Sequence, residues 1–255
     1  MMKAKRPSVS ARIGVDNDHM RPFYKAYTDT CGPFMAAYNG CRYLQVHTCA
    51  STRLRVGFAM ARRVEVTATL KQLDVMLRGQ LCKAGYVLAK GESAMCILQA
   101  DNAQEFQEGD FKNLCNDMQI SLCRSSPYFH ENLSMVERMR GLIFNIVRPL
   151  LHQAGFPKCL WPFAADHAIF VNNRLPAKSN DFKSSFGLFY GEEADLSRIK
   201  VFGCDCYAFE EEDCRQDKIS PRALKFTFVG NVVNSTAYKL VDSRNNLLRY
   251  TTGVW

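Results

Sequence analysis

The sequence predicts an α/β fold, in which a mixed five-stranded sheet is flanked by helices and is followed by a small β-barrel. Before residue 196, short apolar strands alternate with segments of helical periodicity. Beyond it, short apolar runs are separated by turn residues, which is typical of a small all-β unit. We therefore expect a basic N-terminal extension (1–23), a core (24–195) and a β-barrel (199–255).

The first elements of the core are three predicted strands at 23–29, 42–49 and 54–61. A turn at 50–53 joins the second strand to the third, so these strands are expected to run antiparallel. A helix over 64–81 follows from leucines that recur at helical spacing and define one apolar face. These leucines are Leu70, Leu73, Leu77 and Leu81.

The remaining elements of the core alternate in the same way. Residues 95–100 form an apolar run that predicts the central strand of the sheet. We expect Pro149 to kink the long helix that follows or to end it early, because proline lacks a backbone donor. The other predicted elements are a helix at 106–118, a strand at 120–124, helices at 131–153 and 161–172, and a short tail at 182–191.

The predicted barrel consists of four short strands. Residues 243–246 contain serine and asparagine and predict the turn between the last two strands. The strands are expected at 201–209, 224–230, 237–241 and 247–254.

The composition indicates how many domains the chain can form, what kind of partner it favours and where it is expected to reside. The 255 residues are 47% hydrophobic and 23% charged, which suffices for one main domain and a small one. The net charge of +8 favours an anionic partner such as nucleic acid, although many basic soluble proteins bind none. Eleven cysteines without a signal peptide indicate reduced thiols, and we expect an intracellular location, in the nucleus or a cytoplasmic particle. We expect no membrane segment.

Three acidic residues are the candidates for chemistry. Asp29 ends the first predicted strand, Asp101 follows the strand at 95–100, and Glu137 lies where a loop runs into the long helix. The gap between Asp101 and Glu137 contains 35 residues, 102–136. An acid is more commonly part of a solvated face, but three converging carboxylates can hold two divalent ions for phosphoryl transfer. Hard oxygen ligands suit Mg²⁺ or Mn²⁺.

The segments around these acids resemble the integrase of copia-type retrotransposons. The Asp-Asn-Gly-Gly-Glu-Phe segment of that family falls on residues 101–106, and its Pro-Tyr-…-Val-x-Glu-Arg segment falls on 127–138. Residues 28–33 resemble the strand that carries the first catalytic acid of the family. The family's Asn-Arg-Leu-Pro and Val-Phe-Gly-Cys segments match 173–176 and 201–204.

The resemblance covers roughly residues 24–255 and implies an RNase H-like core with an SH3-like β-barrel after it. It implies that Asp29, Asp101 and Glu137 are catalytic and hold Mg²⁺ or Mn²⁺. It also implies that the protein joins element DNA ends to target DNA, with a homo-oligomer as a further expectation. Among the basic residues, Arg53, Lys112 and Arg138 are candidate phosphate contacts, with plain surface charge as the alternative.

Several residues depart from the family pattern. Ala103 and Gln104 replace two glycines, and Leu133 and Ser134 replace an Asn-Gly pair. These departures favour a second hypothesis, a catalytically inactive transposon relic that binds nucleic acid or a partner. A cellular nuclease of the RNase H type is disfavoured, because the matches at 173–176 and 201–204 lie outside any nuclease core. His47 and His130 are expected to be structural, because two-metal chemistry needs no imidazole base.

Overall fold

The computed structural model describes residues 21–255, except for 102, 107–108, 125–129, 210–220, 233–234, 243–247 and 254–255. The backbone but not the side chain is described at residues 104 and 124 and, in the long helix, at residues 130–140 and 142. Most of the predicted N-terminal extension and the predicted turn at 243–246 therefore lie outside the described residues.

A mixed five-stranded sheet forms the core. Its strands are β1 (Lys25–Cys31), β2 (Tyr43–Cys49), β3 (Arg55–Met60), β4 (Ile97–Ala100) and β5 (Ser121–Arg124), in the order β3-β2-β1-β4-β5. The first three strands pair antiparallel, whereas β4 pairs parallel to both β1 and β5. The prediction that 95–100 forms the central strand is wrong, because β1 is the third of the five strands and β4 is the fourth.

Helices cover both faces of this sheet. They are α1 (Val66–Lys83), α2 (Asp110–Asp117), α3 (His130–Gln153), α4 (Trp161–Arg174) and α5 (Ser185–Tyr190). Ala26 and Leu98 face a core that contains α1 and α2, while Leu44 and Val46 face a second core built with α3 and α4. This division follows from the alternation of side chains along each strand.

The leucine pattern of α1 is confirmed in detail. Leu70, Leu73, Leu77 and Leu81 are all fully buried against the sheet. Pro149 lies inside α3, which continues to Gln153 rather than ending early. The predicted short tail at 182–191 comprises the end of a small hairpin, β6 (Pro176–Ala177) and β7 (Lys183–Ser184), followed by α5.

A second, antiparallel sheet follows the core. Its strands are β8 (Asp205–Phe209), β9 (Ala223–Asn231), β10 (Tyr238–Val241) and β11 (Leu248–Thr251), in the order β11-β10-β9-β8. On one face of this sheet, Phe228 and Leu240 belong to a separate hydrophobic cluster. On the other face, Val229 and Val241 join the core built with α3 and α4. Closure of this sheet into an SH3-like barrel, like the division into three ranges, stays a prediction.

Candidate active site

Asp29 and Asp101 lie side by side at one end of the core sheet. Thr28 of β1 is opposite Ala100 of β4 in the parallel register, so Asp29 and Asp101 occupy the next step on the two strands. Neighbouring strands are about 4.8 Å apart. The fold therefore brings together two carboxylates that are 72 positions apart in the printed sequence, between residues 29 and 101.

Asp29 is almost completely buried, with 2% of its surface exposed. Cys31, two residues along β1 and thus on the same face, donates its thiol hydrogen to Asp29 Oδ2 over 3.6 Å. A buried carboxylate is costly unless hydrogen bonds or a cation offset its lost hydration. The position of Asp29 is therefore suited to binding a hard cation next to Asp101.

Asp101 is part of a short structured turn. Its Oδ1 accepts a hydrogen bond from the backbone N–H of Ala103 over 3.1 Å. A 3-10 helix then spans Gln104–Phe106, and the buried ring of Phe106 packs edge-on against Phe111 at 5.1 Å. Neither Ala103 nor Gln104 has a positive φ, so neither position requires the backbone freedom of glycine.

Glu137 lies in α3, and its side chain is outside the described residues. The backbone position is seven residues, about two helical turns, before Phe144. The ring of Phe144 lies 4.9 Å from that of Phe34, three residues beyond the end of β1. Within the described side chains, no group of three His, Cys, Asp or Glu residues could hold a metal ion. Glu137 as the third ligand stays a prediction.

The candidate phosphate contacts lie at different places. Arg53 is in the β2–β3 turn, where the backbone N–H of Ala50 donates to the carbonyl of Lys25 at the start of β1. Asp29 lies four residues further along β1, which is about 13 Å from Lys25. Lys112 is exposed on α2 and lines a groove beside β5. Arg138 lies in α3, and its side chain is outside the described residues. The fold thus places Arg53 at the opposite end of β1 from the two acids.

Glu105, which follows Asp101 by four residues, has no role predicted from the sequence. The Nη1 atom of Arg63 donates to both of its carboxylate oxygens, over 3.0 and 3.1 Å. The signal for Glu105 was its match to the glutamate of the family segment at 101–106. No local pattern points to Arg63, because the pair spans 42 residues of sequence.

The Asn-Arg-Leu-Pro match at 173–176 has a structural role at its first residue. Asn173 accepts from the backbone N–H of Arg55 over 2.9 Å and donates to its carbonyl over 2.8 Å. These two bonds pair the side chain with edge strand β3 in the way that a neighbouring strand would. Asn180 donates to the carbonyl of Thr52 over 3.2 Å and so holds the adjacent turn.

Two histidines are buried, and His47, opposite Thr28 in the β1–β2 register, points to the other face of the sheet from Asp29. Burial lowers the pKa of His47 from 6.5 to about 3 and that of His167 from 6.5 to about 4. Neither ring nitrogen of His47 has a hydrogen-bond partner among the described residues. Neutral, buried imidazoles of this kind are packing groups, which agrees with the structural role expected for His47.

The strand order and the pairing directions, with Asp29 in β1 and Asp101 directly after its parallel neighbour β4, define an RNase H-like α/β protein. No protein-family model matches the chain. The retrovirus-related Pol polyprotein from transposon RE2 of Arabidopsis thaliana is 30% identical over 218 residues, 86% of this chain. The corresponding polyprotein from transposon TNT 1-94 of Nicotiana tabacum is 24% identical over 217 residues, 85% of this chain. The chain spans only 14% and 16% of the length of these relatives.

The chain is therefore a homologue of copia-type transposon Pol polyproteins and has an integrase-like core. Among solved structures, a chain of the simian T-cell lymphotropic virus intasome has a TM-score of 0.49 and 14% identity, covering 90% of this chain and 76% of that one. The HTLV-2 integrase catalytic core domain in complex with magnesium has a TM-score of 0.47 and 15% identity, covering 67% and 98%.

No helix in the described part of the chain is long and apolar enough to cross a membrane.

Proposed function

We propose that this protein is an integrase-type polynucleotidyl transferase that joins DNA strands with the help of Mg²⁺ or Mn²⁺. The observation that carries the proposal is the position of Asp29 in β1 and of Asp101 directly after β4, its parallel neighbour, one residue beyond the pair Thr28–Ala100. The homology to transposon Pol polyproteins supports the same reaction class.

The donor atoms fit a hard divalent cation. Asp29 supplies a buried carboxylate and Asp101 a half-buried one, both from the end of the sheet. Together with Glu137 from α3, they would hold the metal ions. Two such ions, when bound, activate an attacking hydroxyl group and stabilise the leaving oxygen of an in-line phosphoryl transfer.

The protein itself supplies position and charge. The backbone hydrogen bond from Ala103 fixes one oxygen of Asp101, and the thiol of Cys31 orients Asp29. Exposed cations such as Lys112 would contact DNA phosphates, and the net charge of +8 favours that partner. A homo-oligomer would place two such sites on the two ends of an element.

Strand transfer on short duplexes tests the reaction. A labelled blunt-ended duplex is incubated with Mg²⁺ or Mn²⁺, and joined products are separated by length. We expect products with the unmutated protein and none with Asp29→Asn or Asp101→Asn. Products at equal yield from all three proteins would overturn the proposed site.

DNA binding tests the alternative, an inactive relic that still binds nucleic acid. Binding of a labelled duplex is measured at several salt concentrations. We expect the affinity to fall steeply with salt and to depend little on sequence, because counterion release would supply most of it. Salt-dependent binding without strand transfer would favour the relic, whereas no binding at low salt would remove DNA as a partner.

A further inference from the structure

We propose that the ion pair between Arg63 and Glu105 positions the Asp101 loop, defined as Asp101 and the described residues 103–106, for metal binding. This role rests on the proposed function, since it concerns the same metal site. Glu105 is then a positioning residue and not a metal ligand, although it is a carboxylate four residues from Asp101.

The pair joins two separate parts of the fold. Arg63 lies in a 3-10 turn between β3 and α1, while Glu105 lies in the 3-10 helix that follows β4. The side chain of Glu105 is only 6% exposed, whereas that of Arg63 is 43% exposed. Because the carboxylate is buried, both of its oxygens depend on the guanidinium that they share.

Arg63 is itself held in place by β2. The Cζ atom of its guanidinium lies 5.4 Å from the ring centroid of Tyr43, the first residue of that strand. Tyr43 pairs with Met60 at the end of β3. Through this stack, Arg63 connects the Asp101 loop to the rigid sheet and not to another loop.

The ion pair complements the other anchors of the loop. The ring of Phe106 is buried at the far end of the loop, and the Ala103 bond to Asp101 Oδ1 is local. Ala103 and Phe106 also pack against the core that includes Leu98 of β4, so the ion pair is a further link that ties the loop to Tyr43 of β2. We therefore expect loss of the Arg63 pair to let the turn at Asp101 rotate away from Asp29.

Electrostatics alone predicts the opposite result, which makes the inference testable. Arg63 is a positive charge near a cation site, so its removal should strengthen cation binding if charge were the main effect. Loss of positioning should weaken it. Residues that orient metal ligands typically change metal affinity by roughly 10–100-fold when they are replaced.

The experiment is Mn²⁺ titration by calorimetry on the full chain. We expect Arg63→Gln and Glu105→Gln each to weaken binding by at least roughly tenfold. The double variant should be no weaker than the weaker single variant, since both remove the same contact. The matched control is Arg62→Gln. The side chain of Arg62 is 78% exposed, and its Nε lies 3.5 Å from Oε1 of Glu65 and not from Glu105. Its loss therefore removes the same charge without releasing the loop.

Arg63→Lys should retain part of the affinity, because an ammonium group keeps the charge and can donate to the carboxylate. In strand transfer, kcat should fall in Arg63→Gln while the KM for DNA stays unchanged, a split that simple unfolding does not give. If Arg63→Gln does not fold, Arg63→Lys takes its place, because it keeps the positive charge and a loss of Mn²⁺ affinity then reports the altered contact alone.

The two possible failures are distinguishable. If the unmutated protein binds no Mn²⁺, the proposed function fails and the positioning role fails with it. If the unmutated protein binds Mn²⁺ and Arg63→Gln and Glu105→Gln bind it equally well or more tightly, only the positioning role is overturned.

Discussion

The two ends of the core sheet are held by different chemistry. At the acid end, where β1 and β4 finish, Asp29 and Asp101 lie beside the Arg63–Glu105 ion pair. At the turn end, where β2 passes into β3, the neutral amide of Asn173 pairs with backbone groups. The difference lies in the groups that make the contacts. Neutral amides hold the backbone of the turn end, whereas an ion pair stands next to the acids, where a cation is expected to bind.

Acidification should give the largest change in the free energy of unfolding, and it should act through two buried histidines that belong to neither end. His47 and His167 remain neutral in the folded protein because burial lowers their pKa to about 3 and about 4. Below pH 6.5 the unfolded chain binds protons that the folded chain does not, so the free energy of unfolding falls. Each histidine should contribute a loss of about 1.4 kcal/mol per pH unit until the folded pKa is reached.

Urea unfolding between pH 7.5 and 5 measures this loss. His47→Leu should remove about half of the histidine contribution, because leucine has no charged form to exclude. His167→Leu should remove most of the remaining contribution, so the two variants check each other. An identical slope in His47→Leu and the unmutated protein would show that His47 is not excluded from protonation.

The turn end should be the next most sensitive region. Asn173→Ala removes two hydrogen bonds to the backbone of Arg55 and leaves edge strand β3 unpaired there. We expect the free energy of unfolding to fall by about 2–3 kcal/mol. The exposed Asn113 is the control, and Asn113→Ala should change stability by less than about 0.5 kcal/mol.

The same variant also tests whether the two ends are independent. Mn²⁺ affinity in folded Asn173→Ala should equal that of the unmutated protein, since the amide lies at the other end of the sheet. A matching loss of Mn²⁺ affinity would mean that the turn end and the acid end do not act separately.

Returning the family glycine at position 103 should have the smallest effect. Ala103 does not have a positive φ, so Ala103→Gly gains no needed conformation and mainly adds freedom to the unfolded chain. We expect a loss of about 0.4–1 kcal/mol in urea unfolding and no gain in Mn²⁺ affinity. A tenfold gain in affinity would show instead that alanine at this position displaces the metal ligands.

How much the sequence predicts depends on the range of the interaction. The leucines of α1 report burial directly, because their spacing is the period of the helix itself. The bonds of Asn173 to Arg55 span 118 residues, so no local pattern could reveal them. The resemblance proposed Arg53 as a phosphate contact, but its distance from Asp29 became visible only with the register of β1 and β2.

The candidate site shows the same limit. The sequence predicted Asp29 and Asp101 as acids at the ends of strands, and the parallel register brings them side by side. It did not predict the Arg63–Glu105 pair, which forms only when two distant turns meet.

Thermal unfolding with and without millimolar Mn²⁺ tests the central claim most directly, namely that Asp29 and Asp101 form a metal site. An ion that binds only the folded protein stabilises it by about 2.7 kcal/mol at a hundred times its Kd. We expect Mn²⁺ to raise the Tm of the unmutated protein, and Asp101→Asn to abolish the increase without lowering the metal-free Tm. An unmutated protein whose Tm ignores Mn²⁺, or an Asp101→Asn variant that responds equally, would contradict the account.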